Sequence, residues 1–162
     1  MLGNPQEYLA LTEEKLKDIP YVDKLMEIKE IGLVTVGGFI AEVGDIGRFE
    51  NPKQLQKLAG YAIVANDSGK HNGESRISYR GRKCLRYVLY EAAISLFGKN
   101  SEFRAIHEYY RTRQENPLKK LQSVVAVVCN VLKVSYTILT KGVAYDPLKL
   151  MGDIWRSQIQ AL

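Results

Sequence analysis

Apolar side chains fall into two long helical stripes in the second half of the chain. Leu85, Val88, Leu89, Ala92, Ala93, Leu96 and Phe97 recur at intervals of three and four, which aligns them on one face of a helix beginning near residue 82. Leu118, Leu121, Val125, Val128, Leu132 and Leu139 repeat the pattern from Pro117 to about residue 140, and Val124, Val127 and Val131 widen that face. This longest segment is the expected core helix. Between the two, residues 101–114 predict a helix with Phe103, Ile106, Tyr109 and Tyr110 inward or half buried and Arg104, Arg111 and Arg113 outward.

Upstream, the segments are shorter. Residues 1–19 read as an exposed linker helix anchored by Tyr8, Leu9, Leu11 and Leu16, ending before Pro20 because a residue preceding proline is pushed out of the helical region. Met1-Leu2-Gly3 has the character of an appended scar, on which reading the chain is a fragment. Residues 20–28 and 33–43 predict two short helices joined by Lys29-Glu30-Ile31-Gly32, the outline of a helix-hairpin-helix unit, with Gly37 and Gly38 permitting close helix approach. Gly44 to Phe49 is turn chemistry, Asn51-Pro52 caps a helix that Gly60 closes, and residues 61–65 form a short apolar, extended run. The tail, 146–162, has a weak amphipathic turn ending in Trp155, suited to docking. The expected fold is mainly α: one compact helical domain over 20–145 with a basic Gly/Ser loop.

That loop is the polar stretch 66–86, in which Lys70, Arg76, Arg80, Arg82, Lys83 and Arg86 accompany Ser68, Ser75 and Ser78. Cations at the start of the residue-82 helix oppose its macrodipole, a placement that suits a bound anion. The overall charge of +5 hides an asymmetry: residues 1–68 carry seven Lys or Arg against eleven Asp or Glu, and the remainder sixteen against seven. A basic half of that size favours a polyanion as partner.

Composition bounds the rest. With 162 residues, 46% of them apolar and 25% charged, the chain has the balance of a single globular domain. Cys84 and Cys129 are too far apart for a metal or disulfide motif and are expected as small buried hydrophobes. The acids share no spacing that suits two-metal catalysis, the two histidines are too few for a metal site, and Gly69-Lys70 is no Walker loop. No metal or other cofactor is expected in this chain. No run of 18 or more apolar residues crosses a bilayer, no membrane partner is expected, and the cytoplasm is the expected compartment.

A serine attacks a phosphodiester when it is exposed, its proton has an acceptor, and cations stabilise the crowded phosphorus. Ser68, between Asp67 and Gly69-Lys70 on a turn, meets these local conditions best, with Ser75 and Ser78 as competitors; an unreactive Asn-Asp-Ser-Gly turn is the plain alternative.

The order Ile31-Gly32, Gly44-Asp45, Leu58-Ala59-Gly60-Tyr61, Ser68-Gly69-Lys70, Arg76-Ile77-Ser78-Tyr79-Arg80-Gly81 and Leu85-Arg86 with Leu89-Tyr90 resembles the C-terminal, serine-bearing domain of the insertion sequence 110/116/902 transposase family, over about residues 20–140. The resemblance implies DNA recombination in which Ser68 becomes joined to a DNA strand, with Lys70, Arg76, Arg80, Arg82, Lys83 and Arg86 as phosphate contacts. It also implies DNA and a guide RNA as partners and a homo-oligomer for strand exchange. An acidic RuvC-like domain, outside these residues, would supply magnesium chemistry, so the chain alone is expected to be inactive. One departure is Glu30, where the family commonly has glycine. The alternatives are a noncatalytic nucleic-acid-binding module and a protein-interaction domain using Trp155 and the first helix.

Overall fold

A computed structural model describes residues 4–64 and 76–160, and over them the chain is mainly helical. The order is α1 (Pro5–Lys17), α2 (Val22–Met26), α3 (Leu33–Val43), a 3-10 turn (Ile46–Arg48), α4 (Pro52–Ala59), β1 (Ile63–Val64), β2 (Arg76–Ile77), α5 (Lys83–Lys99), α6 (Ser101–Thr112), α7 (Lys120–Lys141) and α8 (Pro147–Gln160). Helices α5, α6 and α7 pack on one another, and Lys83 at the start of α5 and Leu121 at the start of α7 line one cavity. Helices α2 and α3 lie across α5 and α7, α4 packs on both, and α1 and α8 form the outside on α3 and α6.

The expected stripes build this core, with shifts. On α5, Leu85, Leu89, Ala92, Ala93 and Leu96 are buried as read from the sequence. On α7 the buried line is Val124, Val127, Val128, Val131, Leu132, Ile138 and Leu139, with Ser123 and Ser135 enclosed among them. Leu121, expected inside, is 67% exposed. Helix α7 also begins later than Pro117, because Leu118 donates its N–H to the Tyr110 carbonyl and Lys119 is extended. The Gln122 side chain then accepts from the Lys119 N–H at 2.9 Å, one half of a capping box. By length and composition α7 is apolar enough to cross a bilayer, but its apolar face is the bundle core. Each fully buried Val or Leu contributes about 1.5–3 kcal/mol. That outweighs the few tenths of a kcal/mol, up to about 1, that each cation near a helix N-terminus costs.

Local chemistry sets several boundaries. Asn51 accepts from the Gln54 N–H at 3.2 Å ahead of Pro52, and Gly60, at φ +80°, ends α4 in the left-handed region. Gly37 and Gly38 do permit close approach: a Cβ on the first would lie 2.8 Å from Thr12 of α1, and on the second 3.1 Å from Val88 of α5. Two expectations need correction. Cys84 is exposed on the first turn of α5, because it falls beside the buried stripe, and Cys129 is only half buried. The tail is a 14-residue helix whose buried anchors are Met151 and Ile154, while Trp155 stays 44% exposed.

Candidate nucleic-acid interface

The chain enters residues 65–75 from β1 and leaves them through β2, two antiparallel strands with Ile63 opposite Ile77 and Val64 opposite Arg76. β-branched Ile63, Val64 and Ile77 suit this pairing. Hydrogen bonds continue the ribbon toward the bundle: Ser78 N–H to the Ala62 carbonyl at 3.0 Å, Tyr79 N–H to Gly60 at 3.0 Å, and Arg82 N–H to Leu58 at 2.8 Å. The end of α4 is thereby fastened to the start of α5. Gly81 makes the crossing possible, since a Cβ there would sit 2.4 Å from the Leu58 carbonyl oxygen and 2.6 Å from the Gly60 nitrogen. Both ends of the segment 65–75 are therefore held beside the end of α4 and the start of α5. Ser68, Lys70, His71 and Ser75 lie outside the described residues, and Arg76 is described through its backbone alone.

The other candidate cations have distinct placements. Arg80 and Lys83 are exposed and form no ion pair with a described residue. Arg82 reaches back to α3, donating to the Glu42 carbonyl at 2.6 Å and approaching its carboxylate at 3.4 Å. Arg86 is half buried; its Nη1 donates to the Tyr79 carbonyl at 3.0 Å, and its guanidinium lies 5.6 Å from the Tyr79 ring centroid. Tyr61 donates its hydroxyl to the Arg86 carbonyl at 3.2 Å, and burial pushes that phenol up to about 12, so it stays a donor at neutral pH. Ser78, one of the competing serines, accepts from the Arg80 N–H at 3.4 Å.

The basic surface extends beyond the sequence candidates. Arg111 near the end of α6 and Lys120 at the start of α7 both lower the pKa of His107, behind burial as the larger cause, which places both charges near that ring. His107 stacks on Phe97 of α5 at 4.4 Å, and its Nδ1 lies 2.8 Å from the Ser123 hydroxyl of α7. Neither Arg82 nor Lys119 caps its helix through its side chain, so the first N–H groups of α5 and α7 add positive potential beside the cations.

The hairpin turn at 29–32 is turned inward. Glu30 adopts φ +76°, a conformation that favours glycine, and its carboxylate accepts from Ser95 at 3.3 Å and faces Lys99 at 3.8 Å. Buried Asn100 donates to the Lys29 carbonyl at 3.1 Å while its Oδ1 caps α6. Among the described residues, no group of three or more His, Cys, Asp or Glu is placed to hold a metal.

Residues 22–110, from the start of α2 through most of α6, match the profile of a transposase family. The chain belongs to the Transposase IS116/IS110/IS902 family. It is 25% identical over 140 residues to the uncharacterized 42 kDa protein of insertion element IS900 from Mycobacterium paratuberculosis, covering 85% of this chain and 34% of that protein. It is 23% identical over 145 residues to the uncharacterized 44.8 kDa protein of insertion element IS116 from Streptomyces clavuligerus, covering 87% of this chain and 36% of that protein. The chain thus spans about a third of the length of these curated relatives. The transposase-family match takes in the whole hairpin, both strands of the ribbon and the basic start of α5.

Proposed function

We propose that this chain is the serine-bearing DNA recombination domain of an insertion-sequence transposase, with Ser68 as its nucleophile. The observation that carries the reading is the family match over a segment in which the chain around Ser68 starts and ends beside the cations at the start of α5. The Ser68 hydroxyl oxygen attacks a DNA phosphorus and loses its proton to a base or water. A Ser68 oxygen–phosphorus bond forms, the bond from phosphorus to the departing strand's oxygen breaks, and that oxygen takes up a proton. One phosphate ester replaces another, so the step needs no external energy source and can be reversed by a new strand's hydroxyl.

The cations have separable tasks in this scheme. Arg80 and Lys83, exposed and without a described ion-pair partner, are the groups best placed to meet phosphate oxygens. Arg82 and Arg86 hold the ribbon to α3 and α5 through their bonds to Glu42 and Tyr79, and position the loop. Lys70 and Arg76 belong to the loop and its exit strand and complete the phosphate set. The reading includes an RuvC-like acidic domain outside these residues, a guide RNA, and a homo-oligomer that brings several nucleophiles together.

A covalent protein–DNA adduct tests the proposal, assayed with the RuvC-like domain supplied in cis or in trans. Wild type is expected to form an alkali-sensitive adduct at Ser68, and Ser68→Ala is expected to abolish it while keeping DNA affinity within about twofold, since a hydroxyl outside the cation set contributes little to phosphate binding. An adduct that persists in Ser68→Ala sinks the assignment.

A further inference from the structure

Beside the ribbon lies a cavity of about 370 Å³ that the phosphate-binding scheme does not use. Tyr61, 4% exposed, and half-buried Tyr90 are its enclosed part. Its mouth is formed by three large side chains left open to solvent, Tyr79 at 62%, Tyr87 at 66% and Leu121 at 67% exposure. Lys83 and Arg86 also line it, and among the described residues no acidic side chain does. Lys119 and Lys120 immediately precede Leu121 in the chain.

Exposed aromatics interleaved with cations suit a ligand that is anionic along its length yet offers flat apolar faces. An apolar peptide would use the tyrosines and leave the cations without a partner; a phosphorylated small molecule would use the cations and little of the apolar mouth. A nucleic-acid strand uses both, but only where its bases are unstacked, because a duplex hides the base faces. The volume is at the lower end of small-ligand pockets and suits one base.

The backbone supports the same choice. Tyr79 stands at φ +50°, an uncommon conformation for a bulky residue. It is held there by its N–H bond to Gly60, by the Arg86 bond to its carbonyl and by the Arg86 guanidinium over its ring. Two backbone bonds and one contact to the ring thus fix a residue whose side chain remains mostly in water, as expected when a further partner arrives with a ligand.

We propose that the cavity walled by Tyr61, Tyr79, Tyr87, Tyr90 and Leu121 receives an unpaired nucleobase, stacked on Tyr79 or Tyr87, while Lys83 meets the adjoining phosphate. The inference rests on the nucleic-acid reading above and adds the substrate form: a strand with at least one unstacked base beside the ribbon and the starts of α5 and α7. Single-stranded DNA and single-stranded RNA share that chemistry.

The test uses the 162-residue chain with short single-stranded DNA and RNA oligonucleotides carrying one 5-iodouracil, alongside a duplex of the same sequence. Wild type is expected to prefer the single strands over the duplex and to photocrosslink at Tyr79 or Tyr87. The double variant Tyr79→Leu, Tyr87→Leu replaces exposed rings, so its fold should be unchanged by circular dichroism. It is expected to lose that crosslink and roughly 5- to 150-fold in single-strand affinity, the worth of one base stack, while keeping the wild-type salt slope. Lys83→Ala is expected to reduce the salt slope and leave the crosslink position unchanged at saturation. A crosslink with DNA, with RNA or with both supports the pocket and identifies the sugar it accepts. Unchanged affinity in the double variant, or crosslinks that map elsewhere, overturns the pocket and leaves the nucleic-acid reading standing. No salt-dependent binding to any of the three ligands overturns both.

Discussion

Two glycines show how differently the same residue can be used. Gly81, at φ +151°, has carbonyl oxygen and amide nitrogen of the α4 terminus within 2.6 Å of where a Cβ would be, and neither can swing aside as a side-chain end could. Gly98 lies in the last turn of α5 with nothing within 4 Å of that position. Gly81→Ala is therefore expected to cost about 2–3 kcal/mol, by strain and by parting the ribbon from α4. Gly98→Ala should instead gain up to about 1 kcal/mol, because alanine loses less backbone freedom on entering a helix. Urea midpoints at constant slope check both, and a Gly81→Ala midpoint equal to wild type would show that the crossing does not need glycine. Neither role was legible in the sequence, where Gly81 is one more glycine in a polar loop. Glu30 makes the complementary point. Its departure from glycine was visible, but only the fold shows it in a glycine-like conformation with its carboxylate turned toward Ser95 and Lys99.

At the scale of elements, His107 joins the three helices of the bundle, through its own place on α6, its stack on Phe97 and its contact with Ser123. Burial first, then Arg111 and Lys120, lower its pKa below the ordinary 6.5. Between the lowered folded value and the unfolded one, the unfolded chain binds more protons, so stability rises with pH there. Stability is complete above about pH 6.5 and declines as the pH falls through that value toward the folded pKa. Thermal midpoints between about pH 8 and pH 5 should trace this decline, and His107→Asn should flatten the part between about pH 7 and 5. An unchanged slope in the variant would assign the proton to another group. Helix positions were well legible, because α5 and α7 repeat apolar residues at helical spacing. What escaped was context: Leu121 reads as core by spacing, yet it stands 67% exposed at the cavity it shares with Tyr87 and Tyr90 of α5. Strand β2 escaped too, since Arg76-Ile77 is extended only because β1 pairs with it across eleven intervening residues, 65–75.

Across the whole molecule, the surplus of cations after residue 68 could be counted in the sequence, but its direction could not. The packing of α5, α6 and α7 brings separate stretches together: Lys83 shares a cavity with Leu121, which follows Lys119 and Lys120, and the charges of Arg111 and Lys120 both reach His107. If these cations meet nucleic acid, they release counterions on binding and those elsewhere do not. Each phosphate contact contributes about 0.9 to the slope of log K against log salt on duplex DNA and about 0.7 on single strands. Replacing Arg111, Lys119 and Lys120 together by alanine should therefore lower the single-strand slope by up to about 2, without moving any crosslink from the tyrosine cavity. The matched control removes three exposed lysines from other elements, Lys15 and Lys17 on α1 and Lys53 on α4, and should leave the slope unchanged. Both triple variants change the net charge equally, so a general attraction to the polyanion would reduce the two slopes alike. Only an interface that includes the end of α6 and the start of α7 separates them, and equal slopes in the two variants would rule that interface out.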